Sequence, residues 1–455
     1  MKIFRSLAFL GAALLASVQL SSAEAEVEAV KQLFHVTVPK TVLDAAIAKF
    51  GDDLDIWGVK AVQGDNKVQA DIYASDDVIA KFYTSASKNT ILSTGVAPVI
   101  SIERDPVNTA ELIEVSAEIQ AECTTNTLGH LAALNSTTSY IDNAFFDCWR
   151  TAPEVYEFLD ALTAENPQYI SKLDSISTSY EGRPIPAYKI STGNATSTGT
   201  EKKSIFTQGL IHAREWHAGS TTFYAIASIL DGLRSKDATI TTLVDEYDWY
   251  FVPIFNIDGF IYTFNGNRLW RKNRRPVTSA TGRVTYGVDL NRNFGPLEDF
   301  GKAGDGPSSA TYPGLNPLSE PETAGLFEFW KSIPNLMGVL DIHAYSGLVL
   351  RPFGNREEEA TAPFGEKLKT LGDNVERAIA VDNDQPYVSQ TAADLYLCYG
   401  TVLDSIFLEF NQTATLSFEM EGNNFVVPES VIRPGGKHVF QGIIQFAKEL
   451  EAYYS

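Results

Sequence analysis

The chain has 455 residues, of which 44% are hydrophobic and 20% charged, and it carries a formal net charge of −21 at pH 7. This composition is that of an ordinary globular protein, and the length predicts two domains, each with its own hydrophobic core. The negative charge excludes a nucleic-acid partner, because it would repel the phosphates, and it fits a solvated surface.

Residues 1–23 have the pattern of a secretory signal peptide. Lys2 and Arg5 precede an apolar run, and Ser21 and Ala23 are the small residues expected just before a cleavage site. Nothing after this segment reaches the roughly 20 consecutive apolar residues that a membrane span requires. We therefore expect a secreted, extracellular protein that has no membrane partner.

Residues 24–105 are predicted to form a small α+β domain. Its segments alternate between strand and helix patterns in the order βαββαβ, which can fold as an open sandwich of an antiparallel sheet and two helices. The predicted segments are 33–38, 42–50, 54–62, 67–73, 76–85 and 96–102.

Residues 106–140 are predicted to connect this domain to the rest of the chain. They contain no Lys or Arg and show only a modest helical pattern. With three cysteines in the chain, at most one intrachain disulfide can form. Cys123 and Cys148 are the expected pair, because they bracket this one loop-like stretch, and Cys398 is left over.

Residues 141–455 are predicted to form an α/β domain in which helices flank a mixed central sheet. The predicted strands are 187–191, 204–211, 249–255, 336–342 and 413–419. The predicted helices are 154–165, 217–234, 320–332, 364–380 and 440–453.

Three residues at the ends of predicted strands form a candidate metal site. His212 and Glu215 follow the strand 204–211, and His343 ends the strand 336–342. Open α/β sheets build their sites at the carboxyl ends of strands. Two His and one Glu leave the fourth position of a tetrahedral Zn²⁺ free, as a catalytic zinc requires.

Four sequence blocks, in this order, resemble the signatures of the pancreatic-type zinc metallocarboxypeptidases of the A/B subfamily. The blocks are His212–Trp216, Asn267–Arg274, Gly287–Asn293 and Ile342–Tyr345. The resemblance extends from about residue 140 to the C-terminus, and the βαββαβ segment resembles the activation domain of the family's precursors. It implies a zymogen with one Zn²⁺ per chain and an activating protease of unknown identity.

The resemblance also implies roles for the residues around the metal. Glu419 matches the catalytic glutamate, which takes a proton from zinc-bound water and passes it to the leaving amine. Arg271 lies beside the zinc and stabilises the oxyanion. Asp289 accepts a hydrogen bond from the ring of His212 and fixes its tautomer. Glu421, on the same side of a strand as Glu419, is the alternative base.

A further set of residues is expected to bind the substrate. A guanidinium is a permanently charged, bidentate clamp for the terminal carboxylate, with Asn as a neutral donor and a tyrosine closing over both. Leu403 stands at the base of the pocket, where an apolar residue favours apolar or aromatic C-terminal residues, the A-type preference. The set is Arg214, Asn291, Arg292, Tyr345, Tyr396 and Leu403.

Two residues act against a simple A-type pocket. Asp341 stands where digestive enzymes of the family carry a small residue, and it would admit basic substrates if it faced the pocket. Cys398 replaces a smaller residue and would narrow the pocket.

The sequence predicts a carboxypeptidase that acts as a monomer on peptides with a free C-terminus, and three other functions are alternatives to it. A non-catalytic relative that binds peptide C-termini would be expected to lose a zinc ligand or the glutamate, and none is lost. A zinc amidohydrolase would not need the activation-like domain or the carboxylate clamp. A serine hydrolase is disfavoured because the chain has no Gly-x-Ser-x-Gly motif.

Activation by a trypsin-like protease is not expected. No Lys or Arg lies between Arg104 and Arg150, and Arg104 is followed by Asp105 and Pro106, which make it a poor tryptic site. Activation therefore requires a protease with another preference, or the N-terminal domain stays attached.

Overall fold

The computed structural model describes residues 30–50, 53–62, 66–94, 100–127, 139–193, 201–279, 282–302 and 306–455. The predicted signal peptide, residues 1–23, lies outside these ranges. Within them, no helix has both the length and the hydropathy that a membrane crossing needs.

The N-terminal domain is an antiparallel four-stranded sheet with strand order β2-β3-β1-β4 and two helices. Its elements are β1 (Lys31–Pro39), α1 (Lys40–Phe50), β2 (Asp55–Ala61), β3 (Lys67–Ser75), α2 (Asp76–Thr94) and β4 (Ser101–Arg104). This confirms the predicted βαββαβ order.

Alternation along the strands gives this sheet two different faces. Val36 and Val38 of β1 are opposite Ala70 and Val68 of β3 in the register, and all four are buried in the domain's own core. Trp57 of β2 belongs instead to the core of the large domain. Since neighbouring residues of a strand point to opposite faces, the sheet packs on its helices with one face and on the large domain with the other.

The predicted connector contains a helix, α3 (Thr109–Asn126), which begins after the N-cap Asn108. Cys123 of this helix forms a disulfide with Cys148, and the two Cα atoms are 5.8 Å apart. The predicted pairing is confirmed, and Cys398 is a free, buried thiol.

The large domain is built on an eight-stranded mixed sheet with the order β13-β12-β14-β11-β7-β8-β6-β5, plus a separate hairpin of β9 and β10. Its strands are β5 (Ile170–Thr178), β6 (Pro184–Ile190), β7 (Lys203–Gly209), β8 (Tyr247–Val252), β9 (Pro276–Thr278), β10 (Val284–Tyr286), β11 (Leu336–Ala344), β12 (Leu348–Arg351), β13 (Val388–Thr391) and β14 (Ala414–Met420).

Nine α-helices are described in the large domain, namely α4 (Ala152–Glu165), α5 (Trp216–Ser235), α6 (Ala238–Glu246), α7 (Ile257–Asn265), α8 (Pro321–Ser332), α9 (Phe364–Ile379), α10 (Ala392–Leu395), α11 (Val402–Glu409) and α12 (Ile432–Tyr454). Local sequence explains individual helices. Thr151 and Glu154 form a capping box at the start of α4, and the apolar residues of α9 recur every three or four positions on one buried stripe.

Helices cover both faces of the central sheet, which confirms the predicted fold class. Gly338 of β11 faces α12 so closely that a Cβ there would lie 2.6 Å from Phe446 Cε1. Gly338 pairs with Ile205 of β7, so the next residue, Phe206, points to the opposite face. On that face Phe206 packs against Trp330 of α8, with ring centroids 5.8 Å apart.

The sheet brings three strand ends together at one edge. β7, β11 and β14 run parallel and are neighbours, so their carboxyl ends lie side by side. His212 follows β7, while His343 and Glu419 occupy the same register position at the ends of β11 and β14. The parallel topology therefore gathers groups that are more than two hundred residues apart in sequence.

Candidate functional site

Three buried side chains converge at this edge of the sheet. His212 Nδ1 lies 2.8 Å from Glu215 Oε1 and 3.1 Å from His343 Nδ1, and His343 Nδ1 lies 3.1 Å from Glu215 Oε2. Each of the three residues has at most 3% of its surface exposed. The three predicted metal ligands therefore meet at one point.

The outer ring nitrogens show that this point suits a cation. His212 Nε2 lies 3.2 Å from Asp289 Oδ1, and His343 Nε2 lies 2.8 Å from Asp341 Oδ2. If each Nε2 donates its proton to the carboxylate, each Nδ1 presents a lone pair to the other and to Glu215. The three groups then offer no proton to one another, which is costly when they are buried, and a cation between them removes that cost.

The distances also fit zinc. Nitrogen and oxygen ligands about 2.0–2.1 Å from a tetrahedral Zn²⁺ are about 3.3 Å from one another. The contacts among His212, Glu215 and His343 are 2.8–3.1 Å, slightly shorter than this. The ligand set is thus nearly arranged for the ion and needs only a small expansion to hold it.

Arg271 and Asp289 form a buried ion pair beside the ligands. Arg271 Nε and Nη2 donate to Asp289 Oδ2 at 2.9 and 2.8 Å, and Arg271 Nη1 lies 3.9 Å from Glu215 Oε1. Burial acts to raise the pKa of Asp289, but the charge of Arg271 and the contact with the ring of His212 hold that pKa well below its ordinary value. Asp289 is therefore ionised and able to accept from the ring of His212.

The residues that are expected to bind the terminal carboxylate also lie here. Arg292 Nη2 donates to the hydroxyl of Tyr396 at 3.1 Å, and Arg292 Nη1 donates to the carbonyl of Asn291 at 2.7 Å. Val402 N donates to Asn291 Oδ1 at 2.8 Å, which fixes the amide with its NH₂ group turned toward His343. These donors line the same cavity as the metal ligands.

Glu419 and Glu421, the two candidates for the base, face different surroundings. Glu419 is partly exposed to the cavity, and desolvation acts to raise its pKa, whereas His343 acts to lower it. Glu421 accepts a hydrogen bond from Tyr387, and its Oε1 lies 3.1 Å from His438 Nδ1. Its carboxylate is thus engaged elsewhere, and this geometry favours Glu419.

Leu403, which is expected at the base of the pocket, lies among apolar side chains. Leu403 is 3% exposed and packs with Leu348, Leu350 and Ala392. Cys398 also lines the cavity, whereas Asp341 does not. Since Asp341 is turned to His343, the condition under which it would admit basic substrates is not met.

The N-terminal domain enters the same cleft. Arg214 donates two hydrogen bonds to Asp55, from Nη1 at 2.6 Å and from Nη2 at 3.0 Å. The hydroxyl of Tyr345 donates to Asp71 Oδ2 at 3.1 Å. Trp57 lines the cavity with its neighbours in β2. Both Arg214 and Tyr345, expected to bind substrate, are therefore held by the N-terminal sheet.

Sequence reasoning did not find these partners from the N-terminal sheet. Asp55 and Asp71 are acidic residues of ordinary strands, and each contacts a residue more than 150 positions away. No short motif marks such pairs. Gln208, which contacts Asp341, was missed in the same way, although a polar residue within the apolar run of β7 is a signal that could have found it.

Comparisons with known proteins agree with this geometry. The profile of the family described as zinc carboxypeptidase matches residues 155–442. The chain is 30% identical to carboxypeptidase A1 of Mus musculus over 344 residues, which cover 73% of this chain and 78% of that protein. It is 29% identical to the inactive metallocarboxypeptidase ecm14 of Sclerotinia sclerotiorum over 330 residues, 67% of this chain and 54% of that protein.

Among solved structures, carboxypeptidase A from Helicoverpa armigera is similar, with a TM-score of 0.75 and 25% sequence identity. The match covers 94% of this chain and 99% of that chain, so it includes the N-terminal sheet as well as the large domain.

Proposed function

Because the chain belongs to the zinc carboxypeptidase family, we propose that it hydrolyses the C-terminal peptide bond of peptides and proteins, with one Zn²⁺ held by His212, Glu215 and His343. The observation that carries this proposal is the convergence of three buried ligand atoms beside a guanidinium clamp for a terminal carboxylate. The clamp separates an exopeptidase from an endopeptidase, because it selects a free chain end.

Zinc, when bound, supplies Lewis-acid chemistry that polarises the scissile carbonyl and makes a water molecule acidic enough to attack it. Glu419 accepts the proton from that water and delivers it to the nitrogen of the leaving amine. The amine therefore leaves as a neutral molecule and not as an anion. The guanidinium of Arg271 stabilises the negative charge that develops on the carbonyl oxygen. Its ion pair with Asp289 holds the guanidinium in place for this role.

The substrate's terminal carboxylate binds Arg292 and the amide of Asn291. The hydroxyl of Tyr396 is already within hydrogen-bond distance of Arg292, so it can close over the same carboxylate. A free carboxylate forms charge-assisted hydrogen bonds with this group, whereas an amidated chain end cannot. Recognition therefore depends on the charge of the chain end.

The apolar floor favours A-type substrates, with an apolar or aromatic C-terminal residue. Leu403 lies among aliphatic side chains, and burying a Lys or Arg there would leave a cation without a partner. The contact of Asp341 with His343 keeps that carboxylate out of the pocket. The two carboxylates that do line it, Glu215 and Glu419, have the proposed roles of metal ligand and base. The substrates are peptides and proteins with a free C-terminus.

The protein is made as a secreted, monomeric zymogen. Residues 1–23 are the signal peptide, 24–105 the activation domain, 106–140 the connector and 141–455 the enzyme. The ion pair of Asp55 with Arg214 supports the zymogen, because it engages an arginine that is proposed to bind substrate.

A second function, binding of peptide C-termini without catalysis, is considered because one similar protein is described as inactive. Retention of Arg271 and Glu419 beside the three ligands favours catalysis in this chain.

The test uses the protein after removal of the N-terminal domain and a peptide library that varies only the last residue. Each peptide is also made with an amidated C-terminus. We expect release of Phe and Leu from the free acids, loss of release with a chelator, recovery with Zn²⁺, and no cleavage of the amides. Binding of the peptides with zinc present but without release would support the non-catalytic alternative, and equal cleavage of the amides would contradict the clamp.

A further inference from the structure

Asp341 is a buried carboxylate that the proposed reaction does not use. Its side chain lies beneath the metal site, where Oδ2 is 2.8 Å from His343 Nε2. Gln208 Nε2 donates to the other oxygen, Oδ1, at 3.0 Å. Asp341 and Gln208 are register partners on β11 and β7, and both are fully buried. The two strands therefore hold a chain of hydrogen bonds that ends on a metal ligand.

Asp341 forms its ion pair with a histidine. Among the described residues that partner is His343, and no Lys or Arg lies within ion-pair distance of Asp341. A buried carboxylate of this kind is costly for folding alone. That cost is offset if the negative charge stabilises a cation bound to the far side of the imidazole.

The neighbourhood of His343 also requires an acceptor at this position. Asn291 Nδ2 lies 3.2 Å from the same Nε2, and it is an amide donor. If Asn291 donated to Nε2, the ring of His343 would carry its proton on Nδ1, the nitrogen that faces His212 and Glu215, and could not bind a metal there. Asp341 is nearer and charged, so it keeps the proton on Nε2.

We propose that Asp341, oriented by Gln208, is a positioning residue that fixes the metal-binding tautomer of His343 and slows loss of Zn²⁺ from the site. The inference rests on the proposed function, because it takes His343 to be a zinc ligand. It assigns Asp341 to metal retention and not to substrate specificity.

Two variants separate the orientation of the ring from the charge. Gln208 Oε1 has no hydrogen-bond partner among the described residues. In Asp341→Asn, Gln208 can turn its amide and accept from the new NH₂ group, so both hydrogen bonds remain and only the charge is lost. In Asp341→Ser the charge is lost, and the shorter side chain no longer places an acceptor next to His343 Nε2.

The measurement is the equilibrium dissociation constant and the off-rate of Zn²⁺ for the full chain, by competition with a chelating indicator. We expect roughly tenfold weaker binding for Asp341→Asn and roughly hundredfold for Asp341→Ser, the range known for carboxylates behind zinc-bound imidazoles. Thr207→Val is the matched control, because Thr207 is equally buried beside Gln208 on the other face of β7, and its affinity should stay within twofold.

If Asp341 had a purely structural role, its variants would have a lower Tm and an unchanged affinity for zinc. We instead expect the Tm of metal-stripped Asp341→Asn to equal or exceed that of the metal-stripped wild type, because a buried charge with no Lys or Arg partner among the described residues is removed. A lower Tm with unchanged zinc affinity in both variants would overturn the inference. Tight zinc binding by a wild type that releases no C-terminal residue would contradict the proposed function, and the affinities of the variants would still decide this inference. A wild type that bound no zinc would contradict both.

Discussion

Asp55 of the N-terminal sheet and Arg214 of the large domain form a two-point ion pair in which the arginine side chain is 1% exposed. Burial acts to raise the pKa of Asp55, but the charge of Arg214 lowers it below its ordinary value, so the pair is ionised. It occupies an arginine that is proposed to bind substrate. If Arg214 binds substrate as proposed, the contact that docks the N-terminal domain would also exclude substrate.

Asp55→Asn should increase the activity of the uncleaved precursor several-fold. Leaving a buried charge unpaired costs about 2–5 kcal/mol, which here falls on the docked state and favours undocking. The measurement is kcat/KM of the intact chain on a small peptide. Asp77→Asn is the control, since Asp77 pairs with Lys81 on an exposed helix face. An Asp55→Asn precursor no more active than this control would contradict the docking role.

Glu419→Gln should retain zinc and lose activity by roughly 10²–10⁴-fold, because the amide cannot accept the proton. His343→Ala should lose both, because it removes a ligand. Metal analysis of both purified variants, with turnover, distinguishes the two effects. Near-normal activity of Glu419→Gln would show that another group, such as Glu421, is the base.

Leu403→Asp should shift the preference from C-terminal Phe toward Arg. A carboxylate in the apolar floor gives a buried guanidinium the partner that it lacks, and it makes burial of an aromatic ring less favourable. The ratio of kcat/KM for matched peptides ending in Phe and Arg measures the shift, with Leu403→Met as a control of similar volume. A wild type that already prefers Arg would refute the argument from the apolar floor.

Local sequence patterns predict buried, regular helices and strands well. β7 and α5 were predicted within two residues because their apolar runs are continuous and long. β5 was missed, because this edge strand contains a bulge and its residues do not alternate between buried and exposed. Similarly, alternation cannot tell the direction of Asp341, because both faces of β11 are buried.

Only those residues of the site that lie in short sequence motifs were predicted. His212 and Glu215 are three residues apart, so their spacing reports their chemistry directly. The ion pair of Asp55 with Arg214 depends on how β2 packs against the turn that follows β7, and nothing within either segment encodes that packing. Long-range pairs of this kind require the structure.

Glu322→Gln should make the protein more stable at pH 8 but not at pH 4.5. Glu322 is fully buried, and burial raises its pKa to about 7 from an ordinary value of 4.5. A raised folded-state pKa gives stability that is present below pH 4.5 and is lost as the pH rises through 7. The variant does not ionise, so it avoids this loss of up to a few kcal/mol. Tm at both pH values measures the effect.

Glu328→Gln is the control for this prediction. Glu328 lies on the same helix, α8, but its side chain is 72% exposed, so its replacement should change Tm equally little at both pH values. A Glu322→Gln variant whose Tm difference from wild type is the same at pH 4.5 and pH 8 would show that Glu322 keeps an ordinary pKa in the folded protein.

Trypsin should fail to release the N-terminal domain. Arg104 is bonded to Asp76 and precedes Asp105 and Pro106. Arg150 is 4% exposed, and its guanidinium donates to backbone carbonyls of its own loop. Sequencing the new N-terminus after digestion checks this. A product beginning at Asp105 or Thr151 after treatment with trypsin alone would contradict it.

The disulfide predicts what a different protease would produce. Cys123 and Cys148 are joined, so a single cut anywhere between them leaves the N-terminal fragment covalently attached to the enzyme. A cut before Cys123 or after Cys148, or reduction, frees the domain. After digestion with a protease of broad specificity that cuts between the two cysteines, we expect one band on a non-reducing gel and two on a reducing gel.

The double variant Cys123→Ser, Cys148→Ser should give two bands on both gels, and its activity should rise faster after the same cut, because the docked domain can then diffuse away. Two bands from the wild type without reduction would show that the domain is not tethered.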